Sequence, residues 1–188
     1  RDLVRSRGLG DVYKRQYQAG IQSINSKYAP TTNYGATRNT PAAKDYGALV
    51  ESTTRLAKEM NLSVEDLLTA IHYESGFDPN IMGGKGKNYF GLFQASPDVR
   101  QQYGIGPGST VEEQVAAFGK YLKDRGVMPG DNLLPIYAAI NAGNAKYINR
   151  SDEANGGLPG TVADKVASQK MEQSRKEAQA LLEAYGGI

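Results

Sequence analysis

The feature that most constrains the fold of this chain is a recurring local pattern of helix starts and stops. From Asp45 onward, a side chain able to cap a helix repeatedly precedes apolar residues spaced three and four apart, and glycine or proline follows. Asp45 opens a predicted helix running to about Met60, with Leu49, Leu56 and Met60 on one face. Ser63 with Asp66 forms a capping-box pattern ahead of Val64, Leu67, Leu68 and Ile71, and Gly76 and Pro79 end that helix. Ser96 and Pro97 start a short helix through Gln102. Thr110 with Glu113 starts a longer one carrying Val111, Val115, Phe118 and Leu122, closed by Gly126. A fifth helix is expected from about Asn132 to Ala142, and a last one from Thr161 and Asp164 to about Tyr185. Strand signals are confined to Tyr89–Gln94, so the expected fold is mainly α, a single helical domain with at most a minor strand element.

The 188 residues suffice for one hydrophobic core, placed by this reading in residues 45–188. Residues 17–44, rich in Ser, Thr, Asn, Ala and Gly, have the composition of a linker. Residues 1–16, RDLVRSRGLGDVYKRQ, lack the apolar core and small-residue cleavage site of a signal peptide. They resemble the read-through translation of a sequencing adapter and are expected to be non-native, or else a basic disordered tail.

Composition excludes several functions. The absence of cysteine removes thiol nucleophiles and zinc ribbons, and a single histidine, His72, cannot supply a cage of imidazoles. The His72-Tyr73-Glu74 triplet has no P-C-x-x-C partner, so a zinc deaminase is ruled out, and His72 is expected on the helix surface. The net charge of +2 is concentrated in residues 1–16, where five basic residues face two acidic ones. The remaining chain is near neutral and lacks the clustered Lys and Arg of a nucleic-acid binder. No apolar run approaches the length of a membrane span. Gly83, Gly84 and Gly86 follow no strand signal and precede no G-K-[ST], which argues against a phosphate cradle.

The stretch AIHYESGFDP, residues 70–79, places an acid where chemistry is expected. Glu74 falls seven residues after Leu67, so at about 100° per residue it returns to within roughly 20° of that apolar direction. A carboxyl group on the core side of a helix end resists ionisation, through low dielectric and through the helix dipole. Enzymes tune Glu to roughly pH 6–7 in this way to make a general acid. By spacing alone, a Glu74 bent to solvent or paired with a lysine is the more ordinary outcome.

AIHYESGFDPN, then GLFQASP at residues 91–97, then AAINAG at residues 138–143, resembles the three-motif signature of soluble lytic transglycosylase domains related to goose-type lysozyme. The wider pattern, GGKGKNYFGLFQ, NAGN and SDEANGGLPGTVADKV, is similar to versions carried by tail proteins of bacteriophages and prophages. The resemblance covers about residues 45–185 and implies a lysozyme-like α+β domain with an active-site cleft. It implies a virion-associated protein, or one acting in the bacterial periplasm or cell wall, with the peptidoglycan glycan strand and other phage tail proteins as partners. No metal or cofactor is implied.

Carried onto this sequence, the resemblance makes Glu74 the single catalytic acid and base. It would protonate the bond between N-acetylmuramic acid and N-acetylglucosamine, then deprotonate the muramyl 6-hydroxyl to close a 1,6-anhydro ring. Assistance from the substrate's N-acetyl group removes the need for a second carboxylate. Gln94 matches the motif glutamine and is expected either to contact sugar or to tie two loops together. Gly91 permits close backbone approach to sugar or to the catalytic helix. Tyr89 would stack on a pyranose or bond to Glu74, Ser75 would cap the helix or bond to the carboxyl group, and Tyr137 and Asn141, one turn apart, would face the cleft.

Asp78 reads as a turn residue and Asp98 as a first-turn helix residue, although either would allow a water-using muramidase. The chain departs from the family's A-Y-N-A-G at Ile140, which removes a hydroxyl expected near the acid; Tyr137 and Tyr89 are the candidates to replace it. Two rivals to the transglycosylase therefore stand, a hydrolytic muramidase and a non-catalytic glycan-binding or structural tail module.

Overall fold

Local capping decides where the helices of this chain begin. In a computed structural model, which describes residues 27–28, 44–84, 86–155 and 157–185, α1 (Tyr46–Met60) starts where the Asp45 side chain accepts from the Ala48 N–H at 2.9 Å. α2 (Val64–Ser75) starts at Ser63 and stops at Gly76, whose φ of 59° is the left-handed cap a glycine adopts without strain. α3 (Pro97–Tyr103) is capped by Ser96, and α4 (Val111–Asp124) by Thr110 and Glu113 in a reciprocal box. α5 (Leu133–Ala142) is capped by Asn132, and α6 (Val162–Val166) and α7 (Gln169–Tyr185) complete the helices of the described residues. The fold is mainly α. One two-stranded antiparallel hairpin, β1 (Met82–Gly83) with β2 (Tyr89–Phe90), is added between α2 and α3.

α2 is the central element. Leu67, Leu68, Ala70 and Ile71 are fully buried, and the helix packs against α1, α5 and α7. A leucine taken wholly out of water contributes about 1.5–3 kcal/mol, so this helix is anchored on several sides. α4 packs on α1, where Gly119 lets the Leu56 side chain approach its backbone. The fixed orientation of α2 is what aims its last turn.

Four expectations change. The single last helix is two, because the Ser168 hydroxyl donates to the Lys165 carbonyl at 2.6 Å and accepts from the Met171 N–H at 3.2 Å, ending α6 and capping α7. The strand signal at Tyr89–Gln94 yields only Tyr89–Phe90; Gly91 and Gln94 have φ of 75° and 51°, which turns the chain back to the Phe90–Ala95 bridge. The capping box at Ser63 is one-sided. Ser63 accepts from the Asp66 N–H, while the Asp66 carboxylate turns to the Leu133 N–H and to Arg175 at 3.5 Å. His72 is half-buried rather than on the surface, its Nδ1 3.0 Å from the Ser174 hydroxyl and its ring edge-on to Phe77.

Residues 1–16 lie outside the described residues, as does the expected linker apart from Lys27, Tyr28 and Lys44. Tyr28 is 1% exposed and packs edge-on to Tyr46, and its hydroxyl donates to Glu177 at 2.6 Å. At that point the segment belongs to the core. No described helix is long and apolar enough to cross a membrane.

Candidate active site

The last turn of α2 delivers Glu74 into a cleft of about 740 Å³. Three groups of residues line it. Tyr73 and Glu74 come from α2, with Tyr137, Ile140 and Asn141 from α5. Ile81, Gly83, Gly84, Asn88, Tyr89, Gln94 and Pro97 come from the hairpin and the turn after it, while Asp152, Gly157, Leu158, Lys165 and Lys170 come from the chain after α5.

Glu74 is half-buried, and its acidity follows from its neighbours. Burial is the largest influence and raises its pKa to about 7; the Lys170 ammonium, the Tyr137 hydroxyl and Lys165 pull the other way, and Asp152 adds to the rise. Among the described residues Glu74 forms no ion pair, so the ordinary fate of a lysine-paired surface glutamate does not apply. A carboxyl group with a pKa near 7 is populated in both forms at neutral pH, as a group that both gives and takes a proton must be.

Tyr137 is 2% exposed, and its hydroxyl lies beside Glu74, where it favours the ionised carboxylate; its ring meets that of Tyr73 edge-on at 5.1 Å. Tyr137, three positions before Ile140 on the same helix, thus brings a hydroxyl beside the acid. Tyr89 is 42% exposed on the cleft rim, its ring lying over Gly84, where a Cβ would collide with it. With Ile81 at 38% and Leu158 at 55% exposure it offers apolar surface to a ligand's flat faces.

Gln94 lines the cleft, but its amide nitrogen donates to Gly91 O at 3.0 Å and Ile81 O at 3.4 Å, so it ties two loop strands together. Ser75 does not reach the site. Its hydroxyl donates to Ile71 O at 2.9 Å within α2, which rules out a bond from that proton to Glu74. Gly91 also sits outside the cleft lining, and the close approach it permits is to Gln114, whose amide oxygen occupies the place a Cβ would take. Gln114, unnoticed in the sequence, is fully buried. It accepts from Leu92 N at 3.0 Å and donates to Pro79 O at 2.9 Å and Ser109 O at 3.1 Å. An interior glutamine on an otherwise apolar helix face, Val111, Val115 and Phe118, was the available signal.

Asn141 faces the cleft with both ends of its amide engaged, donating to Asp152 at 2.8 Å and accepting from Lys165 at 3.3 Å. Lys165, 4% exposed, also pairs closely with the other Asp152 oxygen. Gly157 lies against that carboxylate, where any side chain would overlap it. Asp152 and Lys165 belong to the SDEANGGLPGTVADKV stretch, yet nothing in their spacing marks them as partners; only the fold brings them together. Asp78, by contrast, accepts from Asn80 N at 2.9 Å and pairs with Lys44 at 3.2 Å, as a turn residue should, and neither it nor Asp98 lines the cleft. Among the described residues no three His, Asp or Glu side chains converge as a metal cage.

Comparison with protein-family models, with curated proteins and with solved structures gave no match.

Proposed function

We propose that this chain is a peptidoglycan lytic transglycosylase with a lysozyme-like fold, cutting the β-1,4 bond between N-acetylmuramic acid and N-acetylglucosamine. The observation that carries the reading is Glu74, with a pKa of about 7, lining a cleft beside the buried Tyr137. In the first step the protonated Glu74 gives its proton to the glycosidic oxygen as the bond to the muramyl C1 breaks, and the substrate's N-acetyl oxygen stabilises the cation. In the second, the Glu74 carboxylate takes the proton of the muramyl 6-hydroxyl, whose oxygen closes on C1 to give the 1,6-anhydro product. The enzyme returns to its starting form and no cofactor takes part. The three-motif resemblance supports this chemistry, and the wider pattern supports a place in a phage or prophage tail, with other tail proteins as partners.

One observation favours a second reading. Asp152 is a second acid in the cleft, and a muramidase would use such a group to activate water. Its two oxygens, however, are engaged by Lys165 and Asn141, which makes it a poor base and supports the transglycosylase. The experiment is mass spectrometry of digested sacculi. Anhydro-muropeptides, lighter by one water than their reducing-end counterparts, are expected, and reducing-end products alone would establish hydrolysis. If Glu74→Gln clears cell-wall suspensions as well as the parent does, the chain is a non-catalytic glycan-binding or tail module.

A further inference from the structure

Two lysines line the cleft and differ in kind. Lys165 is buried and its charge is matched by Asp152. Lys170 is exposed, and among the described residues it pairs with no carboxylate. Its ammonium is held 4.0 Å from the centre of the Tyr73 ring, beside the acid. A cation stacked on an aromatic face keeps a defined place while its donors remain open to a ligand. The cleft's other fixed charges, Asp152 and Lys165, cancel each other. Lys170 therefore leaves the cleft with an unmatched positive charge within reach of the reacting bond.

A cleft built for a neutral polysaccharide gains no substrate contact from such a charge, only its pull on the Glu74 proton. One built for a glycan carrying carboxylates does. Resting on the reading of Glu74 as the acid of a glycan-cleaving enzyme, we propose that Lys170 is a substrate-binding residue that recognises a carboxylate borne by the muramyl sugar, so that the cleft selects acidic glycan over neutral chitin-type chains. The carboxylate has two sources with the same chemistry, the lactyl group of a sugar stripped of its peptide and the acidic residues of the stem peptide. The neighbouring groups fit this role. Asn141 and Asp152 are engaged with Lys165, and the apolar rim of Ile81, Tyr89 and Leu158 suits sugar faces rather than anions.

The test compares Lys170→Gln and Lys170→Arg with the parent chain on three soluble substrates: peptide-bearing glycan, peptide-stripped glycan with free lactyl carboxylates, and neutral N-acetylglucosamine oligomers. Binding is measured in a Glu74→Gln background, so that turnover does not intervene, and kcat and KM are measured in the active chain. Lys170→Gln should weaken binding and raise KM on an acidic glycan roughly tenfold, the effect of one charge-assisted hydrogen bond. In the Glu74→Gln background it should leave binding of the neutral oligomers unchanged, and Lys170→Arg should restore most of the loss on acidic glycan. A loss on stripped glycan assigns the lactyl group; a loss confined to peptide-bearing glycan assigns the stem. The discrimination should fade as salt screens the charge. Equal effects on acidic and neutral chains, or no effect on any, would overturn the assignment of Lys170 while leaving Glu74 untouched. A parent chain that cleaves none of the three substrates would overturn the underlying reading instead.

Discussion

The hydroxyl of the buried Tyr137 lies beside the carboxyl group of Glu74 and favours its ionised form, where α5 meets the last turn of α2 in the cleft. Substitution Tyr137→Phe keeps the ring and its edge-on packing against Tyr73 but removes the hydroxyl. Because the hydroxyl favours the ionised carboxylate, its loss moves the Glu74 pKa further up. The alkaline limb of the pH–rate profile should shift to higher pH, and glycan cleavage at neutral pH should fall by about one to two orders of magnitude as the group loses its orientation. A profile that kept its shape and position would mean that the hydroxyl has no part in tuning the acid.

Glu74 also makes folding stability depend on pH. Its folded pKa, about 7, lies above the ordinary value of 4.5, so the native state binds the proton more tightly than the unfolded chain does. The stability this confers is fully present below the unfolded pKa and is lost as pH rises through the folded one. Between pH 4.5 and 7 this residue alone should lower stability by about 1–3 kcal/mol as pH rises. Glu74→Gln, which stays neutral, should abolish that slope and be the more stable form at pH 8. Urea unfolding of both chains at pH 5 and pH 8 measures the difference.

The helical frame was legible because it is written in adjacent residues. Asp45, Ser96, Thr110 and Asn132 each cap the helix they precede, a contact within three residues that the sequence displays directly. The direction of Glu74 was legible for the same reason, from its distance to Leu67 along one helix, although spacing alone favoured a solvent-facing or lysine-paired side chain. What could not be read is long-range. The Asp152, Lys165 and Asn141 cluster joins three separate segments, and Tyr137 meets Glu74 only because α5 packs on α2. The break at Ser168 was hidden by a helical composition on both sides, where one hydroxyl bonded to Lys165 and Met171 decides the matter. The Ser75 hydroxyl donates to Ile71 O at the helix end and Gly91 approaches Gln114, since proximity in sequence to an acid does not fix where a hydroxyl or a backbone turns.

The Asp152 and Lys165 pair predicts a strongly non-additive mutant cycle. Asp152→Ala leaves the nearly buried Lys165 ammonium without its anion and Asn141 without its acceptor, at an expected cost of about 3 kcal/mol. The double variant Asp152→Ala with Lys165→Met removes both charges and should recover much of that loss. Chemical denaturation of the four chains tests this. Simple addition of the two single effects would mean that the charges are solvated separately.

Gln114 gives the last prediction, because it fixes the cleft wall without touching the cleft. Its fully buried amide holds the Leu92 N–H, the Pro79 carbonyl and the Ser109 carbonyl, and so clamps both ends of the segment that carries the hairpin, Tyr89 and Gln94's loop. Gln114→Leu, similar in size, leaves those three backbone groups without this partner in a dry site and should destabilise the fold by about 2–4 kcal/mol. Amide hydrogen exchange should accelerate at Leu92 and in the neighbouring hairpin well before α1 or α4 is affected. Glycan cleavage should weaken mainly through a higher KM, since the Glu74 and Tyr137 contact lies on α2 and α5 rather than on the clamped segment. An exchange pattern that speeds up uniformly across the helices would show that Gln114 supports the core as a whole and has no special hold on the cleft wall.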